Sequence, residues 1–426
     1  MKRKNILYFI FGLFILALVV LSACNDFKTS PTMWDPNKSY PTGSVITRIS
    51  PANSAIAGVR EISIIGKFSS KLDSNWIYFG SEQAIIKRMS AAADTLVVYR
   101  PVISGALTIN AVIAQADSAG KFSYNLESPI RSSDMTGIPT GIVGVMEANK
   151  NGTVGGDTIW IASTGYITML LPNGIDLIPY KDTSYLKPKI NNKNSDFSKA
   201  FSDMKFGPHG FLYATFAGSK YLYQLDPASA TPVVYVTFAG AYSTSVFDFN
   251  SNGDIYFNGL KSGLFLVKQG STTPVAVGVA DYTGTTFAGI RVYNGYVYGI
   301  APSSTILFRS PINPDGTVGS KETVVNIASD TSLTGCTISS FNFASDGTVL
   351  VSLLGNANYS LYILENGSLS PYYHNNILPT GINQLIWGGG RYLYLRVSSA
   401  TQLYRMGMAK EDNTPLLGAP YLGRGL

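Results

Sequence analysis

The sequence predicts an all-β protein, a β-sandwich followed by a six-bladed β-propeller, on three observations. The 426 residues are 12% aromatic, with 26 tyrosines, and only 14% charged, a composition suited to strands with polar, uncharged outer faces. From Ser44 onward apolar and polar residues alternate in short runs bounded by Gly, Pro, Ser and Asn, the period of half-buried strands. Beyond residue 140 a unit of about 43 residues recurs, and a unit of that length holding four short strands matches one propeller blade.

The first 43 residues belong to neither part. Lys2, Arg3 and Lys4 precede an uncharged stretch from Ile6 to Leu21, and Leu21-Ser22-Ala23-Cys24 follows. A basic head, an apolar core shorter than the roughly 20 residues of a spanning helix, and a small-residue cleavage site make a secretory signal peptide over residues 1–23. The tetrapeptide ending at Cys24 resembles a bacterial lipobox. That resemblance implies cleavage before Cys24, diacylglycerol on its sulfur and acylation of its new amine, two signals where one acyl chain gives only marginal membrane binding. With Cys24 consumed, no second cysteine remains for a disulfide or a CxxC pair, and Cys336 is expected as a small buried residue. Residues 24–43, with Pro31, Pro36 and Pro41, read as an extended lipidated tether. Losing Lys2, Arg3 and Lys4 lowers the formal net charge from +6 to +3. No run of five or six like charges occurs, so nucleic acid is not an expected partner.

Residues 44–127 contain the runs "SVITRIS", "REISIIGKF", "NWIYFG", "TLVVYRP" and "ALTINAVI", enough strands for one antiparallel sandwich. With Ser50-Pro51, Gly58 and an expected turn at Ile65-Gly66-Lys67-Phe68, this stretch resembles the IPT/TIG family of immunoglobulin-like domains. The resemblance implies a spacer or binding module rather than an active site. Residues 128–141 are read as a linker.

From 142 to 426 two registers repeat together. Trp160, Tyr213, Tyr256, Tyr298, Leu350 and Tyr394 are equivalent, and Met169, Tyr223, Phe265, Phe308, Tyr362 and Tyr404 follow them at 9 to 12 residues. Same-phase aromatics are expected to fill the space between neighbouring blades. The blade texture resembles the NHL and gluconolactonase-like propellers, since no Gly-His…Trp-Asp signature is present. Either "FSYNLESPI" or "TPLLGAPYLG" is expected to supply the strand that closes the ring.

Loops from an outer strand to the next inner strand, and from second to third strands, gather on one face of a propeller. Tyr242, Tyr282, Tyr372, Tyr373, His374, Asn375 and Asn376 are thereby expected around the channel mouth. Aromatic faces with amides and hydroxyls suit a neutral polar ligand such as a glycan. The chain's two histidines are His209 and His374, and no HExxH, GxSxG or Ser/His/Asp set can be picked from spacing. The gluconolactonase-like resemblance implies a metal held by a glutamate, asparagines and an aspartate. Glu147 falls in the first blade and Asp248 in the third, where Asp248 also reads as a turn-flanking residue; no complete ligand set matches, and no cofactor is expected. "NPDGTVGS" holds a single acid and reads as a β-turn rather than a calcium loop. The architecture resembles cell-surface glycan-binding lipoproteins of the Bacteroidota. The expected protein is therefore anchored in the cell envelope, at the outer membrane, and binds a polysaccharide or an envelope protein without catalysis. A protein-interaction scaffold and a propeller hydrolase or lyase are the alternatives.

Overall fold

A computed structural model describes residues 41–128, 130–134, 145–149, 158–163, 166–172, 177–179, 200–225, 232–238, 244–259, 263–355, 359–373, 378–388, 390–397, 402–410 and 412–419. Cys24, Tyr242, His374, Asn375 and Asn376 lie outside them. Among the described residues no helix is long and apolar enough to cross a membrane.

Two sheets form the N-terminal unit. One has four strands in the order Val45–Ser50, Glu61–Lys67, Thr95–Tyr99, Ile86–Met89. The other has five, in the order Ser54–Ile56, Gly120–Glu127, Gly105–Ile113, Asn75–Phe79, Glu82–Ala84. Strict alternation buries Ile62 and Ile64 of the first sheet against Ile77, Phe79, Ile109 and Leu126 of the second, removing one apolar face of each from water. The expected turn at Ile65-Gly66-Lys67-Phe68 is instead the end of strand Glu61–Lys67. Glycine stands there because a Cβ at Gly66 would lie 1.8 Å from the Val45 carbonyl oxygen.

Among the described residues after 128 the strands form six four-stranded antiparallel sheets. Their inner strands are Val145–Asn149, Phe201–Phe206, Thr244–Phe249, Gly289–Tyr293, Thr337–Phe343 and Ile382–Trp387. Each inner strand neighbours the next, and the sixth returns to the first, so the ring closes as a propeller. The outer strand of the sixth sheet is Ile130–Asp134, paired with Gln402–Met406. Closure thus uses the segment expected to be a linker. "FSYNLESPI" belongs mainly to the N-terminal strand Gly120–Glu127 and meets the closing strand only at Ile130. Of "TPLLGAPYLG", residues 414–419 are described, with Pro415 bridging Ala409 and Gly418 bridging Ala344.

All six residues of the first repeat register sit on second strands and are buried, Trp160, Tyr213, Tyr256, Tyr298, Leu350 and Tyr394 alike. Edge-on pairs such as Tyr213 with Phe249, at 4.8 Å between centroids, join one sheet to the next. Cys336 is buried.

The N-terminal unit shares a hydrophobic cluster with the last two sheets, in which Ile56 and Val59 pack with Tyr372, Tyr373, Met406 and Met408. Val59 bridges Tyr373. Arg60 grips Glu365 through two bonds of 2.6 and 3.0 Å, and Glu127 receives Arg391 at 2.5 Å and Ser54 at 2.9 Å.

Candidate functional site in the propeller channel

An inner strand is an edge strand, and its unpaired N–H and C=O groups face the channel or the neighbouring sheet. Residues directly opposite the six repeat positions are Glu147, Lys205, Asp248, Arg291, Asn342 and Ile386. Two negative and two positive residues therefore alternate over four consecutive positions of the six.

Several of these side chains stitch one inner strand to the next. Asp248 accepts from Phe249 N at 3.0 Å and, across the gap, from Val292 N at 2.9 Å. Asp203 accepts from Met204 N at 2.8 Å, Phe247 N at 3.0 Å and Lys205 Nζ at 2.8 Å. Asn342 donates to Leu385 O at 2.9 Å. Gln384 accepts from Met146 N at 3.0 Å and donates to Met146 O at 2.8 Å, joining the last sheet to the first. Burial pushes the Asp248 carboxyl up, while Arg291, Lys205 and the two backbone donors pull against it.

These bonds decide what the acids can do. Both oxygens of Asp203 and of Asp248 are held by backbone N–H groups, and Glu147 Oε1 accepts from Ala148 N at 3.0 Å. Among the described residues no group of three or more His, Cys, Asp or Glu is placed to hold a metal ion. Lys205 and Arg291 stand at ring positions flanking Asp248, where a divalent cation bound between inner strands would meet two positive charges. The donor set does not fit the metal that the gluconolactonase-like resemblance implies.

Above the stitches lies a cavity of about 150 Å³, lined by Glu147, Asp203, Lys205, Arg291, Asn383 and Arg396 together with Ser340 and Phe341. Ser202, Val246, Gly289, Ser339 and Asn383 of this lining are at or near the starts of their inner strands. Burial lowers the Arg396 guanidinium to about 10. Among the described residues Asn383 Oδ1 is buried without a hydrogen-bond donor, an acceptor whose desolvation none of them offsets.

Three of the predicted mouth residues are elsewhere. Tyr282 is buried at the end of the short helix Val279–Tyr282, its hydroxyl 2.6 Å from Ser310 Oγ and its ring against Phe287 and Phe308. Tyr372 is buried, accepting from Ala409 N at 2.9 Å and donating to Ala409 O at 3.1 Å. Tyr373 packs edge-on to it at the junction with the N-terminal unit. All three are core residues, because their rings fill space between sheets although their neighbours in sequence are polar. Sequence reasoning missed Asp203, Gln384, Asn383 and Arg396. For Asp203 and Gln384 the available signal was that a polar residue recurs on each inner strand opposite a repeat position or two residues before that partner; Asn383 and Arg396 do not follow it.

A second cleft, of about 430 Å³, lies on the opposite face, between Arg60, the turns of the fifth sheet and the chain after the last strand. It is larger, but both of its cations are already paired, Arg60 with Glu365 and Lys410 with Asp346, each at 2.6 Å. The channel cavity, with its orphaned acceptor, is the better candidate.

No family model matches the chain, and no curated protein matches it. Among solved structures it is similar to an auxiliary nutrient binding protein from Bacteroides thetaiotaomicron VPI-5482, with TM-score 0.50 and 11% identity over 88% of this chain and 99% of that one. A second auxiliary nutrient binding protein, from Bacteroides ovatus ATCC 8483, aligns with TM-score 0.45 and 10% identity over 88% and 99%. A gluconolactonase from Xanthomonas campestris aligns with TM-score 0.46 and 11% identity over 65% and 89%. At 11% identity the likeness to the first of these, at TM-score 0.50, is one of fold alone.

Proposed function

We propose that the protein is a lipoprotein of the cell envelope, anchored at the outer membrane through Cys24. In this reading an Ig-like sandwich over residues 44–127 carries a six-bladed propeller that begins at its closing strand, Ile130–Asp134, and the channel binds a polar saccharide without catalysis. The observation that carries the binding site is Asn383 Oδ1, a buried acceptor in the lining of a cavity rich in hydrogen-bonding groups. A sugar hydroxyl supplies the missing donor. The acids of the channel are engaged in holding backbone, which disfavours a hydrolytic mechanism. The name of the Bacteroides thetaiotaomicron neighbour, an auxiliary nutrient binding protein, agrees with a role in nutrient capture. Tyr242, His374, Asn375 and Asn376 remain proposed contacts at the mouth.

The test is a glycan array and oligosaccharide titration with the intact chain in detergent, beside Asn383→Ala. Saccharide binding weakened about tenfold by that change, the worth of one hydrogen bond, is the expected result. Absence of saccharide binding together with recovery of one specific envelope protein would favour the scaffold reading instead.

A further inference from the structure

Strand Asn75–Phe79 turns Asn75, Ile77 and Phe79 into the N-terminal core and Trp76 and Tyr78 away from it. Trp76 is 38% exposed, whereas the other described tryptophans, Trp160 and Trp387, are 2% and 1%. Such exposure of a large ring is worth an explanation. Cross-strand partners share a face, and the register places Val112 beside Trp76, and Gln83 and Asn110 on either side of Tyr78. Beyond them on the same face come Lys121 opposite Asn110, Ser123 opposite Thr108, and Asn125 opposite Ala106.

We propose that this outer face of the five-stranded sheet is a second polysaccharide site, separate from the channel. Two rings two residues apart on one strand stand about 7 Å apart, in file and bordered by amides and hydroxyls. The carbon-bound hydrogens of a pyranose stack on such rings while its edge hydroxyls reach Gln83, Asn110, Thr108 and Ser123. A protein partner would ask for a continuous apolar centre with a polar rim, but the apolar area here ends at Trp76, Tyr78 and Val112. Nucleic acid would ask for several cations, and the face offers Lys121 alone. A flat face of this kind suits an extended polymer, whereas the channel cavity takes a short unit. The inference rests on the saccharide reading for its ligand class and adds a place for it.

The test compares four intact chains in detergent: the wild type, Trp76→Ala with Tyr78→Ala, Asn383→Ala, and all three changes together. Each is run in native gels containing neutral polysaccharides and titrated with short oligosaccharides. Trp76→Phe, which keeps a stacking ring, and the unfolding temperature of each variant control for folding. The platform changes should weaken polymer retention at least about tenfold, through loss of the second attachment, leave oligosaccharide titration unchanged, and be partly restored with Phe at 76. Unaltered polymer retention in the platform variant, with Asn383→Ala still weakening it, would overturn the platform and leave the channel standing. Polymers that the wild type does not retain would overturn the platform, and oligosaccharides that it does not bind would overturn the channel reading.

Discussion

Asp248 is the residue on which a catalytic reading and a structural one diverge most. Its two oxygens hold Phe249 N and Val292 N, so the carboxylate is a clip between the third and fourth sheets. An amide in its place accepts through one oxygen only. Asp248→Asn is therefore expected to cost about 1–3 kcal/mol in urea unfolding, the price of one orphaned buried N–H. Asp248→Ala, which also strips the charge facing Arg291, is expected to cost about 3–5 kcal/mol. Tyr282 gives the contrasting case. Burial pushes its hydroxyl up to about 12, and that hydroxyl serves Ser310. Tyr282→Phe should lower stability by about 1 kcal/mol while saccharide titration stays as in the wild type. Reduced binding without loss of stability would return Tyr282 to the mouth.

Strand by strand, the repeat was readable because strand phase is a local property. Period-two alternation and a fixed offset placed Trp160, Tyr213, Tyr256, Tyr298, Leu350 and Tyr394 at one point of each sheet without knowledge of any partner. The closing strand was not readable for the same reason. Ile130-Arg131-Ser132-Ser133-Asp134 has one apolar residue and no alternation, and it becomes a strand because Gln402–Met406 presents an open ladder. The stitches were hidden in the same way, since the group that Asp203 or Gln384 satisfies is backbone on another sheet. Polar neighbours of Tyr372 and Tyr373 suggested exposed rings, but polarity of the flanking residues does not decide where a ring packs. Two tests belong at this scale. A chain starting at residue 135 should melt lower and less cooperatively than one starting at residue 128, because only the latter keeps the closing ladder. A Cβ on Gly418 would stand 2.4 Å from Trp387 Cβ, so Gly418→Ala should displace the returning C-terminal segment at a cost of about 1–3 kcal/mol, read by thermal unfolding.

For the molecule as a whole, the junction of the N-terminal unit with the last two sheets combines a shared apolar cluster with ion pairs. Burial raises the Glu127 carboxyl, but the bonds from Arg391 and Ser54 outweigh it and hold the group below its ordinary 4.5. A carboxylate depressed on folding contributes stability above its unfolded value, and that contribution is lost as pH falls through the folded one. The junction should therefore loosen below pH 4.5, by about 1 kcal/mol for so partly exposed a pair. Proteolysis between the two units across that range is the measurement, and Arg391→Ala should flatten the dependence. The closing ladder, in which Ile130 meets Met406, also governs time. A ribosome finishes the N-terminal unit and five sheets before the partner of residues 130–134 exists, and until then the ring has two open edges able to pair with any other strand. Contacts between such distant parts of a chain form slowly, so the last step of folding is the one most exposed to aggregation, and it is the step that a holdase bound to the unclosed chain would protect.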